Sequence, residues 1–555
     1  MKRYFIPKLL CLALVVALAP AHLSAQQGSV DIVTAYTPEI APATKLLAPT
    51  RIADDPTIKP EIAYQVNPSL WQISLDAHNF NPARASYWDY TSYKRLFAKI
   101  AAGYPLGSEA RLHYTLQTPK VGYFGVGLEH HGDFAARVSA EGVERSIADS
   151  YDMQNAIRLC GGLFVGRYLF EGALSYDNDI YNAYAMRNPE RKMFHDTRLA
   201  VKFGDEFVDL SRLNFAVEAH GEHWAHRLPM VAQEMESAMM LNFGGSATLA
   251  RDFSDNRLSL ELEADWWGDY RNELSVGGGV GYARSFGFVS LDAGLGYLYD
   301  KVGEDRKASH YILPRAKLLF DLDKQALVPY VELNTTLERN NVATLFTTNP
   351  YLAFNPQRRD VIDARNTLSY NLSAGLTGTF FSSRLSYNLY LGANFMRDQM
   401  FWFVTEPGAF GFAQKSNNRL FLGLSAEAMP VAGLSIDLDF RYHFDFYDSL
   451  YVQSESKMRG HLGVEYMLRK WKFYAEGELI GRRTWTIVDE SNALRAVDEF
   501  TMPTLLDLSV GVSYRASRIV EIYLNGENLL NSKIYDWANY YRQGIGFMAG
   551  VKIDF

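Results

Sequence analysis

Arg257-Leu258-Ser259-Leu260-Glu261-Leu262-Glu263-Ala264-Asp265-Trp266 alternates apolar and polar side chains. Successive side chains of a strand point to opposite faces. One face therefore carries Leu258, Leu260, Leu262, Ala264 and Trp266, and the other Arg257, Ser259, Glu261, Glu263 and Asp265. Residues 434–444 repeat the pattern: Leu434, Ile436, Leu438, Phe440, Tyr442 and Phe444 alternate with Ser435, Asp437, Asp439, Arg441 and His443. Residues 545–555 close the chain in the same way. Strands of soluble sandwiches average about five or six residues. Runs of about ten match strands tilted across a bilayer, apolar towards lipid and polar towards a wet lumen.

Working outward, the same alternation fills residues 95–555, broken by connectors of two kinds. Short ones fall at 118–122, 166–169, 253–256, 284–287, 323–326, 381–384, 430–433, 468–472 and 515–519, with a longer one near 205–213. Between them lie mostly longer polar or aromatic connectors, the longest at 132–154, 339–366 and 486–501. Short periplasmic turns alternating with long outer loops are the layout of an outer-membrane barrel, and the count comes to about 22 antiparallel strands. Pro314 interrupts one run and makes that strand a weaker expectation. Aromatic clusters at Trp266, Trp267 and Tyr270, at Phe401, Trp402 and Phe403, and at Phe444, Phe446 and Tyr447 read as interfacial girdles.

Composition agrees. Aromatics make up 14% of the 555 residues, with 34 Tyr, 33 Phe and 41 Gly, as a protein of many strands and turns requires. A net charge of −8 lacks the basic footprint of a nucleic-acid binder. Mean hydropathy of −0.15 excludes a bundle of membrane helices, whereas barrel strands average to near zero. Lys2, Arg3 and Lys8 precede an apolar run over 9–20, and Ala21-His22-Leu23-Ser24-Ala25 follows, so residues 1–25 read as a secretory signal peptide. Its removal takes Cys11 and leaves Cys160 without a partner for a disulfide. Residues 26–94 are rich in proline (Pro38, Pro42, Pro49, Pro56, Pro60, Pro68, Pro82) and read as an irregular, extended segment in the periplasm or the lumen. The expected class is therefore an all-β transmembrane barrel in a Gram-negative outer membrane, in contact with its lipid.

Asn528-Leu529-Leu530-Asn531, Tyr535, Tyr540, Tyr541, Gly544, Phe547, Gly550, Val551 and Phe555 resemble the last hairpin of TonB-dependent outer-membrane receptors, with Leu530 where that family usually has Phe. The resemblance implies that the strand with Phe547, Ala549, Val551, Ile553 and Phe555 is read by the outer-membrane assembly machinery. Asp31-Ile32-Val33-Thr34-Ala35 is similar to the short box that such receptors offer to TonB. The segment before the barrel is too short for the family's plug domain, so the chain looks like the plugless, receptor-like proteins of Bacteroidota-type outer membranes. The function this implies is transport of a solute or nutrient across the outer membrane, gated by a partner. The alternative is a non-conducting accessory barrel of an assembly, secretion or surface-lipoprotein complex, with a surface lipoprotein or periplasmic protein as partner and the aromatic stretch 535–541 as contact.

No residue stands out as catalytic, cofactor-binding or metal-binding. In His220-Gly221-Glu222-His223-Trp224-Ala225-His226, His220 and Glu222 share a face, His223 points away, and His226 is expected to rejoin them only where the strand has ended. His130 and His131 point apart for the same reason. Gly277-Gly278-Gly279 lacks the helix and the Lys-Ser/Thr of a phosphate loop. An enzyme needs a nucleophile beside a histidine at the rim, and no spacing singles one out. The polar faces bearing Glu261, Glu263, Asp265, Asp437, Asp439, Arg441, Glu476, Glu478, Lys552 and Asp554 are expected to solvate the lumen and pair across strands. Barrels of 16–18 strands already leave an aqueous channel. Closure of a wider one falls to the N-terminal segment, to loop 339–366 folded inward, or to another protein.

Overall fold

The computed structural model describes residues 95–555 except 119–120, 140–141, 208, 228–236, 269–271, 303–307, 323–325, 354–363, 447–453, 490–491 and 543. Residues 1–25, read above as a signal peptide, and the Asp31-to-Ala35 segment lie outside the described residues, as do Tyr270 and Tyr447. Among the described residues no helix is long and apolar enough to cross a membrane. The main sheet has 24 strands. Two of them, Arg483–Asp489 and Asn492–Met502, join from the mouth, and the remaining 22 close an antiparallel barrel. Closure pairs the first strand, Leu96–Tyr104, with the last, Gly546–Asp554, in the register Phe97↔Asp554 to Tyr104↔Phe547.

Every short connector read from the sequence joins two barrel strands at one end, the end that also carries both barrel termini. Several of these turns need positive φ, which Gly supplies at Gly166 (+65°) and Gly287 (+63°), while Ser254 adopts +57°. Two-residue hairpins demand this conformation because their twist must match that of the strands. The opposite end has the long connectors, together with tight turns such as Pro105–Leu106 between Tyr104 and Gly107 and Pro407–Gly408 between Glu406 and Ala409. Pro314 stays inside a strand, Ser309–Phe320. It is opposite Leu295 on one side, while the ladder to the other neighbour spans only Ala316–Leu319. Its missing N–H therefore falls where no rung is formed, the placement a strand proline tolerates.

The facing of side chains follows the alternation. Leu258 and Leu262 are half exposed on the outer face, as are Leu199, Leu295, Ile312 and Leu391. These chains form the band that lipid covers. On the last strand Phe547, Val551 and Ile553 share this face, and Ala549 and Phe555 are exposed with them. Inward charges pair across strands: Arg315 with Glu261 at 3.3 Å, His220 with Asp265 at 2.9 Å, His461 with Asp437 at 3.0 Å and Lys552 with Glu521 at 3.0 Å. Asp439 accepts from Ser425 at 2.7 Å. Gly277 faces the same interior. A Cβ there would lie 2.4 Å from Leu298 and 3.0 Å from Glu263, so that glycine makes room for neighbouring side chains.

Candidate functional site at the outer mouth

The largest buried apolar groups do not sit between two sheets. They sit at the outer end of the barrel, where segments from distant parts of the chain meet. Phe194, Trp224, Met240 and Trp267 project inward from four neighbouring strands and form a shelf with Phe412. On this shelf rests the helix Val342–Thr348 of loop 339–366. Asn341 caps the helix by accepting from the Thr344 N–H at 2.9 Å. Val342, Leu345 and Phe346, spaced i, i+3 and i+4, are all buried. Seven residues are too few for a stable isolated helix, so packing holds it. The Phe346 ring centroid lies 4.7 Å from that of His226, 5.9 Å from Trp224 and 6.0 Å from Phe194.

The base of the loop is tied by polar groups buried with it. Arg339 donates to Glu273 at 3.0 Å and to Ser275 at 2.7 Å, and lies 4.2 Å above the Trp267 ring. Asn366 donates to Glu273 at 2.9 Å and to Asp300 at 2.8 Å. Glu273 and Asp300 are at most 1% exposed, so the charge of Arg339 is what makes their burial tolerable. Further along, the Lys192 ammonium donates to the Leu352 carbonyl at 3.1 Å.

A second apolar cluster continues the lid. It joins Ala183, Tyr184 and Ala185 of one loop, Tyr351 of loop 339–366, Val404 and Phe410 at the tip of the long hairpin Leu385–Glu406/Ala409–Ala428, Trp485 and Met502 of the mouth hairpin, and Ala538 and Tyr540 near the C-terminus. Tyr351 stacks on Tyr540 with centroids 3.5 Å apart and planes at 11°. The Tyr540 hydroxyl donates to the Gly408 carbonyl at 2.7 Å, and that of Tyr184 to the Tyr541 carbonyl at 2.9 Å. Burial pushes the Tyr184 hydroxyl up to about 12 and those of Tyr351 and Tyr540 well above the usual range. Arg145 binds the Met186 carbonyl at 2.6 Å and so ties two further outer segments together. Below this lid lies a cavity of about 470 Å³ lined by Asp133, Arg137, Asp152, Tyr184, Tyr351 and Arg542 among others. Among the described residues, the protein's own loops thus pack together at the outer mouth above a charged lumen. Of the three closures named from the sequence, the inward-folded loop is the one the described residues contain.

Several expectations change at this end. Phe401 and Phe403 are 1% and 4% exposed and pack with Val488, and Trp402 packs into the lid. These rings are not a membrane girdle, because their strand runs on to Glu406, beyond its pairing break at 396–399. The cluster at 266–267 splits: Trp266 stays on the lipid side and Trp267 turns inward to the shelf. Phe444 and Phe446 are exposed. The aromatic stretch 535–541 packs largely into the lid rather than standing free for a partner. The connector at 486–501 is itself mostly a hairpin. His226 shares the inward face of His220 and Glu222 because the strand Asn214–Arg227 does not end before it. His226 stacks among aromatic rings, Glu222 pairs with Arg198 at 3.2 Å and His220 pairs with Asp265, so the three serve separate contacts. Among the described residues no group of three or more His, Cys, Asp or Glu is placed to hold a metal ion.

No protein-family model matches the sequence, and neither does any curated protein. Solved structures do match in fold. The copper transporter OprC gives a TM-score of 0.62 at 12% identity over 84% of this chain and 82% of its own. The FrpB iron transporter from Neisseria meningitidis gives 0.65 at 9% identity over 84% and 82%. The siderophore receptor PiuA from Acinetobacter baumannii gives 0.59 at 10% identity over 84% and 82%. The chain is therefore an integral outer-membrane β-barrel with the architecture of these receptors and transporters.

Proposed function

We propose that the chain carries a solute across the outer membrane through a lumen that its own outer loops hold shut, with loop 339–366 as the gate. One observation carries this reading: an apolar lid of Phe346, Leu352, Tyr351 and Tyr540 covers a lumen lined with charges. A barrel that served only as a scaffold has no need of a wet interior beneath a dry lid, whereas a gated conduit needs both. The structural neighbours are named as transporters and receptors for copper, iron and siderophores, which supports an uptake role. In this reading residues 1–25 direct export and residues 26–94 serve the periplasmic side. Asp31, Ile32, Val33, Thr34 and Ala35 make the contact with TonB, and the C-terminal strand is read by the assembly machinery.

The test compares the full chain with a variant whose residues 342–352 are replaced by a Gly/Ser stretch, each reconstituted in planar bilayers. The full chain should stay closed and the variant should conduct. Equal, large conductance from both would mean a diffusion pore and end the gated reading. Removal of residues 31–35 should abolish energised uptake while leaving the barrel and its closed state intact.

A further inference from the structure

The outer wall of the barrel carries a hydrogen-bonded chain that the transport reading does not use. Ser108 Oγ lies 2.9 Å from His130 Nε2, and His130 Nδ1 lies 2.8 Å from Asn155 Oδ1. The residues come from three adjacent strands, Gly107–Thr118, Gly122–Asp133 and Asp152–Val165. His130 is directly opposite Asn155, and Ser108 is opposite Gly132, one diagonal step from His130. Gly132 makes this approach possible, since a Cβ there would lie 2.8 Å from Ser108 Oγ and 2.5 Å from the Phe134 ring.

All three side chains face outward. Ser108 shares parity with the exposed Leu112, Tyr114 and Leu116, His130 with Phe124 and Leu128, and Asn155 with Ile157, Leu163 and Val165. They sit next to the tight outer turn Pro105–Leu106, at the level of the outer-leaflet interface. Exposed Tyr104, Leu106, Leu128 and Ile157 flank them with apolar surface.

The atoms meet in a functional order. An amide oxygen only accepts, so Asn155 Oδ1 fixes the proton of the imidazole on Nδ1. Nε2 then offers its lone pair to the Ser108 hydroxyl. This is the nucleophile, base and orienting-group logic that recurs on unrelated folds, including a form in which an asparagine orients the histidine.

We infer that Ser108, His130 and Asn155 form a lipid-facing acyl-ester hydrolase site, whose substrate is a long-chain carboxylic ester of an outer-leaflet lipid. Ser108 Oγ attacks the ester carbonyl carbon and passes its proton to His130 Nε2. The bond from that carbon to the alcohol oxygen breaks, and His130 returns the proton to the leaving alkoxide. Water then attacks the acyl-serine. Its proton passes through His130 to Ser108 Oγ, and a fatty acid leaves. Asn155 acts as a positioning residue throughout.

Ester-linked acyl chains occur in glycerophospholipid and in lipopolysaccharide, so the test has two arms. The full chain is reconstituted in vesicles of phosphatidylethanolamine and phosphatidylglycerol, and separately with lipopolysaccharide, and released fatty acid is read by mass spectrometry. A fluorophosphonate probe reports the activated serine by peptide mapping. Release in one arm identifies the lipid, with the label on Ser108. Ser108→Ala should lower release by about 10³-fold or more. His130→Gln should abolish labelling although Ser108 remains. His195→Gln, a change at another outward histidine bonded to Tyr176, should alter neither readout. Heat-shifted gel mobility checks that each variant is a folded barrel. Absence of both release and label in the wild type, or release unchanged in Ser108→Ala, would overturn the assignment.

Discussion

Phe346→Ala isolates the gate from the barrel. The side chain is fully buried and touches three rings on two strands whose own ladders do not depend on it. Truncating a buried Phe costs about 3–5 kcal/mol. Here that loss falls on the docking of loop 339–366, because the wall is held by inter-strand hydrogen bonds. At about 1.4 kcal/mol per factor of ten, the docked-to-undocked ratio should fall about 10²- to 10⁴-fold. Two assays read it: open probability in planar bilayers, and amide exchange over Val342–Thr348. Thr347→Ala is the matched control, since Thr347 is on the exposed side of the same helix. Open probability and exchange should both rise for Phe346→Ala and stay at wild-type levels for Thr347→Ala. If the two variants behave alike, with the channel shut and the helix equally protected, the loop is not held by this packing and the gate argument fails.

Four other predictions rest on separate contacts. Arg339→Met leaves Glu273 and Asp300 buried without that cation and should cost about 3–5 kcal/mol of loop docking, seen as faster exchange at 342–348. Gly408→Ala places a Cβ 2.6 Å from the Met186 backbone nitrogen at φ +83°. It should loosen the lid between the hairpin tip and loop 183–190, read as new protease cleavage there. Tyr540→Phe keeps the stack on Tyr351 but leaves the Gly408 carbonyl without its donor. It should cost about 1 kcal/mol by hydrogen exchange, less than Tyr540→Ala. The tyrosines of the lid set a pH window. Burial favours their protonated forms, so the contribution to closure is complete below their ordinary value of about 10 and lost as pH rises towards the raised value of about 12 at Tyr184. Conductance should therefore appear above about pH 10 while the far-ultraviolet spectrum of the barrel persists.

Much of the barrel was legible because its signal is local. The facing of Leu258 or Leu438 depends only on period 2 and on which side meets lipid, and both are visible in ten consecutive residues. The pairing of Glu261 or Asp437 with inward-facing partners on nearby strands follows from the same alternation. The limits appear where neighbours along the chain stop being neighbours in space. Phe401 to Phe403 read as a girdle because aromatic clustering alone does not tell a rim from a lid. His226 was expected to rejoin His220 and Glu222 only where the strand had ended, whereas the ladder through Arg227 continues and the even positions 220, 222 and 226 share its inward face.

The alternation of residues 95–555 by itself determined an antiparallel barrel, its approximate strand number, its short-turn end and its lipid face, since these need no contact beyond the next strand. Only the tertiary structure decided what closes the mouth. Tyr351 meets Tyr540 and Phe194 meets Phe346 because ring closure brings distant strand ends to one rim, and no periodicity encodes that distance. The same holds for Ser108, His130 and Asn155, separated by 22 and 25 positions and joined only by strand register. A one-residue slip would turn one of the three to the opposite face of the wall.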